Sequence, residues 1–584
     1  MAARVLAVAD PVQLRGLTDQ LSVAVYRQAE ARRAAGDSAG AVEDFLRVGR
    51  VAPGTAAVEA AQYDAAAELI KMKDWPRSIE VLEAYRRDYP KSRQQADVTQ
   101  KLAVAYMEAG RADAAAGEFE RVAAARDQPA AVRLEALGIA AAQYQKSGNT
   151  TKTVALLEQT VADYPQPVAE RIETRQQLAD YAAKAGNTER VAYWQREIVK
   201  ADASAGAART DRTRYLAAKS SLALAAPARD NYRALKLTAP LNRSLAPKRK
   251  ALDAALAGFK AGAAYNVAVV TTQASFEIAE LYRQLAADLL ASGRPKNFSA
   301  DELEQYDLLL EEQATPLEEE AIKLHEANAS RAGEGLYDEG VKASYGALAK
   351  LMPARYGKTE AVPALVSSLA LPSAPPAAGD SVALAGASAA AAAAVPASGA
   401  APAVAAVAVR SAPPARLEAQ LVQAVAQANA GANNDAELEF RQLMEAAPEF
   451  GGAAFDLGLL LRGQGRLEDA EKALAEAVRR EPRSATAHTA LGLVQRERGQ
   501  FAAARASDEQ ALQVDPDHAP AHRNLAVVLD LYLADPGAAL EHLERYQALT
   551  GEERPVTSWI ADVKQRAGRR DAPAAPDTAA EATQ

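Results

Sequence analysis

The chain has 584 residues, of which 49% are hydrophobic, 24% charged and only 5% aromatic, with a formal net charge of −9 and no cysteine. At roughly 100–200 residues per domain this length holds three to five domains, and the acidic balance speaks against a nucleic-acid binder, which shows a basic domain or stripe. The missing cysteine excludes disulfides, thiolate metal sites, a cysteine nucleophile and a lipid-modified cysteine in this chain.

The sequence opens MAARVLAVADPVQL. Ala7-Val8-Ala9 before Asp10-Pro11 has the small-x-small form of a leader cleavage site, but the apolar stretch Val5–Ala9 is shorter than the ~7–15 residues a leader needs. It reads either as plain cytoplasmic sequence or as the end of a signal peptide whose front is missing. From residue 10 to 206 the pattern is helical and repetitive. Turn residues fall at Gly36, Lys73, Gly110, Gly148 and Gly186, 37 or 38 apart, and Pro53, Pro90 and Pro165 close the second helix of three hairpins.

Residues 207–360 keep the helical period and lose the repeat. Ser299-Ala-Asp-Glu302 is a capping box, 275–290 and 314–329 read as long amphipathic helices, and 336–358 closes the block. Residues 361–415 are rich in Ala, Pro and Ser with no period to bury, which predicts a disordered linker. Its uncharged stretch between Asp380 and Arg410 is broken by Gly386, Pro396, Gly399 and Pro402 and is too weakly apolar for a spanning helix, so no direct membrane span is expected. The tail, 566–584, is predicted to be disordered as well.

Residues 416–565 carry a strict period. Pro448, Pro482 and Pro516 are 34 apart, as are Gly431, Gly465 and Gly499, and Ala436, Ala470 and Ala504. Leu457-Gly458 recurs as Leu491-Gly492, and Ala477 as Ala511. Glycine suits the left-handed residue that ends a helix, alanine a close helix crossing, and proline the break after the second helix. This pattern resembles the tetratricopeptide repeat family, with repeats at 417–450, 451–484, 485–518 and 519–553. The last repeat departs: Ala526 replaces the glycine, and LYLADPG carries about one extra residue at the turn. Tyr106, Gly110, Ala115 and Phe119 put the N-terminal array in looser register with the same family. The resemblance implies an all-α solenoid forming a right-handed superhelix, here as two repeat modules joined by the disordered linker. YRRDYPKS (85–92) and VADYPQP (161–167) resemble repeats of bacterial envelope proteins. The whole resembles tetratricopeptide proteins associated with TonB/ExbB/ExbD-type or gliding-motility systems. That likeness implies a periplasmic, cell-envelope location if a signal peptide is missing from this chain, and a cytoplasmic one otherwise.

Gly463-Gln-Gly465 follows an apolar run, as a phosphate loop would. A dinucleotide fingerprint needs a third glycine where the chain has Glu468, and a strand where the pattern is helical. Gly465, recurring as Gly431 and Gly499, is read as a turn. His518 and His522 have metal-ligand spacing, but Pro520 between them and the shared repeat position of His488 and His522 point to loop chemistry. No metal or cofactor is expected. EEQATPLEEE (311–320) is a solvated face or an acidic patch for a basic partner.

In the family, helix-A positions 2, 5, 6, 9, 12 and 13 point into the concave groove. Here they include Phe455, Leu459, Arg462, Thr489, Leu493, Arg496, Arg523, Asn524 and Val527. Arg462 and Arg496 should share a stripe and suit an extended or helical peptide of some acidic character. Alternatively Leu459 and Leu493 pack within the array and the arginines are solvated. Reversing both arginines to glutamate is expected to weaken partner capture without lowering thermal stability. The carboxylate-clamp variant has Lys and Asn where the first C-terminal repeat has Leu421 and Val425, so recognition of chaperone tails is not expected. The implied function is a non-catalytic scaffold that binds other proteins through peptide or helical segments, without nucleic acid. The alternatives are an enzyme whose site lies in 207–360, where His325 is the sole histidine, and a cytoplasmic regulatory adaptor. The number of chains in the assembly stays open.

Overall fold

The computed structural model describes residues 11–372 and 412–570. Among them every regular element is helical, and most helices adjacent in sequence pack on one another. The chain divides into two compact units, Met1–Leu224 and Ala225–Gln584.

The first unit stacks five helical hairpins: α1 (Pro11–Ala34) with α2 (Ser38–Val51), α3 (Ala56–Lys71) with α4 (Trp75–Asp88), α5 (Gln95–Glu108) with α6 (Ala112–Ala124), α7 (Ala130–Ser147) with α8 (Thr150–Asp163), and α9 (Val168–Lys184) with α10 (Thr188–Ala203); α11 (Asp211–Ala234) follows. Each hairpin turns on one left-handed residue, at the five predicted positions, with φ between 59° and 83°. At four turns the next residue is Asp37, Asp74, Asn149 or Asn187. Its N–H closes back on the preceding helix and its side chain caps the following one. Two residues thus end one helix and begin another. Lys73 is the one turn without glycine, a substitution that costs roughly 1–2 kcal/mol. Fully buried Ala41, Ala65, Ala105, Ala115 and Ala140 let the helices approach closely, and Phe45, Leu69, Leu82, Tyr85 and Leu102 fill the space between them. Tyr26 bonds Asp64 and Tyr63 bonds Asp97 from repeat to repeat, and Arg86 clamps Glu118 with two 2.7 Å hydrogen bonds.

The second unit takes in the last part of α11, from Ala225, and then α12 (Leu241–Ala263), α13 (Ala268–Leu290), α14 (Ala300–Ala329), α15 (Glu339–Leu351) and the single turn α16 (Pro353–Tyr356). The Ser299–Glu302 capping box is formed. The repeats follow as α17 (Ala415–Asn429) with α18 (Asn433–Ala446), α19 (Gly452–Gly463) with α20 (Leu467–Arg480), α21 (Ala485–Glu497) with α22 (Phe501–Val514), and α23 (Ala519–Val527) with α24 (Pro536–Thr550). α25 (Val556–Arg570) packs on α24. Gly431, Gly465 and Gly499 have φ of 81°, 75° and 78°. A Cβ added at Gly465 would touch nothing, so Gly465→Val is expected to cost ~1–2 kcal/mol through backbone strain alone. A chemical-denaturation midpoint equal to that of the wild type would refute this.

The extra residue of the last repeat is absorbed in a π-helical turn, Val528–Tyr532, after which Ala534 takes the left-handed role at φ 53°. The Leu531 carbonyl in that turn accepts a 2.8 Å hydrogen bond from Tyr345 Oη of α15. Around it gather Tyr337, Tyr345, Tyr356, Phe501 and Tyr532, with Phe501 and Tyr532 stacked at 4.5 Å. This aromatic junction corrects the expected organisation. Residues 225–357 belong with the C-terminal repeats, because their bulky rings bury against the last repeats and not only against one another. The linker expected over 361–415 is corrected in part. Residues 361–372 have a defined path on the array and α17 starts at Ala415, while 373–411 lie outside the described residues. The tail expected from 566 is helical to Arg570, and 571–584 lie outside the described residues.

Candidate functional site: the groove of the C-terminal repeats

The helix-A face of the C-terminal array holds residues 358–371 of the same chain, running from the last repeat to the first. Lys358 Nζ lies 3.0 Å from Asp530 and 3.0 Å from Asp562. Arg523 donates to the Thr359 carbonyl at 2.7 Å and to its hydroxyl at 2.8 Å. Arg496 clamps the Glu360 carboxylate, Nε at 2.7 Å. Asn524 accepts the Ala361 N–H at 2.7 Å and donates to the Ala361 carbonyl at 3.1 Å. Further on, the Val366 N–H donates to Asp456 at 2.8 Å, and the Leu369 N–H to Glu418 at 3.1 Å. The Gly452 N–H donates to the Leu369 carbonyl at 2.7 Å, and the Leu371 N–H donates to Glu481 at 3.0 Å. Leu369 and Leu371 are buried in the core of the first repeats. We call 358–371 the strap. It needs no period of its own, because the array supplies its hydrogen bonds and its burial.

The nine residues expected to line the groove fall into three groups. Arg496, Arg523 and Asn524 hold the strap directly. Leu459 and Arg462 line a 340 Å³ pocket together with Val362, Pro363 and Leu365 of the strap. Phe455, Thr489, Leu493 and Val527 are buried, and Thr489 spends its hydroxyl on the Ala485 carbonyl of its own helix. Arg462 pairs with Glu497 at 2.6 Å, and Glu497 lies 3.7 Å from Arg496, so the two arginines do share a stripe. Arg496→Glu would set a carboxylate against buried Glu360. The expectation that reversing both arginines spares stability is therefore withdrawn.

Sequence reasoning missed Asp456, Gly452, Glu418 and Glu481. Asp456 lies 68 residues before Asn524, two repeats back at the same position, so the rule that selected one reaches the other. A Cβ on Gly452 would fall 2.2 Å from the Ser368 carbonyl oxygen and 2.7 Å from that of Leu369. The next two repeats have Thr486 and Pro520 at this position, so glycine answers to the strap and not to the repeat.

The electrostatics are unusual for a surface groove. Burial pushes the Asp456 carboxyl up to about 8 against the lowering influence of the Val366 N–H, and its second oxygen has no hydrogen-bond partner. Burial also raises Glu360, opposed by Arg496. Asp508 stands where the two preceding repeats have Phe440 and Leu474. It is wholly buried with neither oxygen hydrogen-bonded, and burial, then Glu360, push it well above the ordinary carboxylate range.

Other candidates resolve as structure. His488 and His522 bond the Pro482 and Pro516 carbonyls through Nε2, both at 3.0 Å, bracing equivalent loops. Among the described residues no three His, Asp or Glu groups converge as metal ligands. In α13–α15, His325 lies 3.3 Å from the Ser344 hydroxyl and 3.4 Å from Glu280. This order of groups suits nucleophile activation, but His325 and Ser344 are wholly buried, and Asn328 ties the same hydroxyl to the Thr272 and Gly340 carbonyls. It is a buried packing knot of three helices. Although burial opposes it, the nearby His325 and two hydrogen bonds from Arg283, at 2.9 and 2.8 Å, hold Glu280 down to about 2. The 311–320 run lies on α14 with its glutamates outward or half-buried.

Residues 455–519 match the model of the tetratricopeptide repeat family. No curated protein matches the chain. Among solved structures it is similar to the crystal structure of MamA, with 21% identity over 25% of this chain and 86% of that one and a TM-score of 0.24. It is also similar to the crystal structure of the APC/C hetero-tetramer Cut9-Hcn1, with 12% identity over 92% of this chain and 95% of that one and a TM-score of 0.23; at these scores neither likeness carries weight. The family match, the 34-residue period and the left-handed turns at Gly431, Gly465 and Gly499 together show that the C-terminal array of this chain is built of tetratricopeptide repeats.

Proposed function

We propose that the chain is a non-catalytic protein-interaction scaffold whose C-terminal groove takes an extended protein segment. The strap carries this reading. Its main chain is held by side chains that donate or accept whatever the residue type, at Asn524, Asp456, Glu418 and Glu481, while Arg496 selects one carboxylate. Main-chain bonds supply affinity and a few side-chain contacts supply specificity, the division of labour of extended-peptide recognition. The first unit, with a repeat array of its own, is free to hold a different protein.

Hydrogen exchange on the full chain tests the groove. The amides of Val366, Leu369 and Leu371 should be protected in the wild type and exchange freely in Gly452→Ala, while helix content stays unchanged. Equal protection in both proteins would refute the groove as the seat of the segment. On the resemblance of its repeats alone, we also propose a place in a bacterial envelope assembly. Recovery of the native protein only with cytosolic markers on fractionation would count against it.

A further inference from the structure

The strap is an imperfect ligand for the groove that holds it. Between the anchored amides of Ala361 and Val366 it leaves a solvent-open pocket of 340 Å³, with Val362, Pro363, Leu365 and Leu459 on its apolar side and Arg462 and Gln464 on its polar side. The strap also leaves the second oxygen of Asp456 buried without a partner. Leu369 and Leu371, by contrast, are fully buried, and Glu360 is clamped by Arg496. The groove therefore fits the two ends of the strap closely and its middle poorly.

Resting on the reading above, we infer that the preferred occupant of this groove is an extended segment of another protein that keeps the carboxylate at the register of Glu360 and the leucines at those of Leu369 and Leu371 but brings a bulky aromatic side chain to the register of 362–365, and that the strap is its built-in competitor. A second copy of this chain is disfavoured as the occupant, because it brings the same Val-Pro-Ala-Leu and leaves the same pocket. The competitor is covalently attached, so it is always present at high local concentration. Only a segment that gains from the unfilled space displaces it.

The test uses the full chain and two labelled peptides read by fluorescence anisotropy: the strap sequence GKTEAVPALVSSLALP (357–372) and the same peptide with Leu365→Trp. Leu369→Asp with Leu371→Asp disables the resident strap and leaves the groove intact. This variant should bind the plain peptide, and the tryptophan peptide about tenfold more tightly. Adding Gly452→Ala should abolish both, because the clash with the Ser368 carbonyl recurs. In the wild type, the tryptophan peptide should expose the Val366 and Leu369 amides to exchange, and the plain peptide should do so far less. This second measurement stands if the disabled variant does not fold.

Equal affinities for the two peptides, or no exposure of the wild-type amides by the tryptophan peptide, would overturn the inference while leaving the groove reading in place. Failure of both peptides to bind a folded, strap-disabled chain would overturn the groove reading itself. A wild-type dimer abolished by Gly452→Ala would make the occupant a second copy and sink the inference.

Discussion

Lys358→Met is expected to lower the stability of the second unit by about 3–5 kcal/mol, the usual cost of stranding a buried charge. The Lys358 and Asp530 side chains have no exposed surface, and Nζ also reaches Asp562 and donates to the Ala354 and Arg355 carbonyls that end α16. Methionine fills the volume but leaves both carboxylates to Arg566. The denaturant midpoint of the second unit reads the effect. Adding Asp530→Leu should recover a large part of the loss, because a buried ion pair replaced whole is far cheaper than one broken in half. An unchanged midpoint in the single variant would show that Lys358 is solvated.

Asp456→Asn is expected to raise stability by about 5 kcal/mol at pH 8 and by only about 1.5 kcal/mol at pH 5, roughly 1.4 kcal/mol for each pH unit above the ordinary carboxylate value. Asp456 binds its proton in the fold up to about pH 8 and in the unfolded chain only up to about the ordinary carboxylate value of 3.8. Its contribution is therefore complete at low pH and is lost as pH climbs from about 4 to about 8. Asp508, raised in the same direction, adds to the slope. Glu280 and Glu476, held down to about 2, act in the opposite sense only below the ordinary glutamate range, so they do not mask it. Asparagine keeps the acceptor for the Val366 N–H, as Asn524 does for Ala361 at the equivalent position. Thermal unfolding at pH 5 and pH 8 decides the matter. An equal pH dependence in variant and wild type would mean that Asp456 is already ionised in the fold.

The turns were legible because a left-handed residue every 34 to 38 positions demands glycine, or a cost that shows, as at Lys73. The arginine stripe was legible for the same reason: Arg462 and Arg496 inherit their facing from the period. The strap was not, because an extended segment has no internal signature when its hydrogen bonds come from elsewhere, and Ala, Pro and Val read alike in a groove and in a linker. Asp456 hid in the apolar run GAAFDLGLLLRG, where one carboxylate looks incidental until its repeat-mate Asn524 is seen to do the same task. The Glu280–His325–Ser344 knot joins three helices, a juxtaposition that no local pattern encodes. The aromatic junction is likewise built from Tyr337, Phe501 and Tyr532, which only packing brings together.

The path of the strap changes the meaning of the residues that follow it. Leu371 ends against Glu481, and α17 begins the same array at Ala415, so the described residues on either side of 373–411 belong to one array. A connection of that kind sets no angle between domains. Additions or deletions there should retune how readily the strap reseats, and the folded array should scarcely register them.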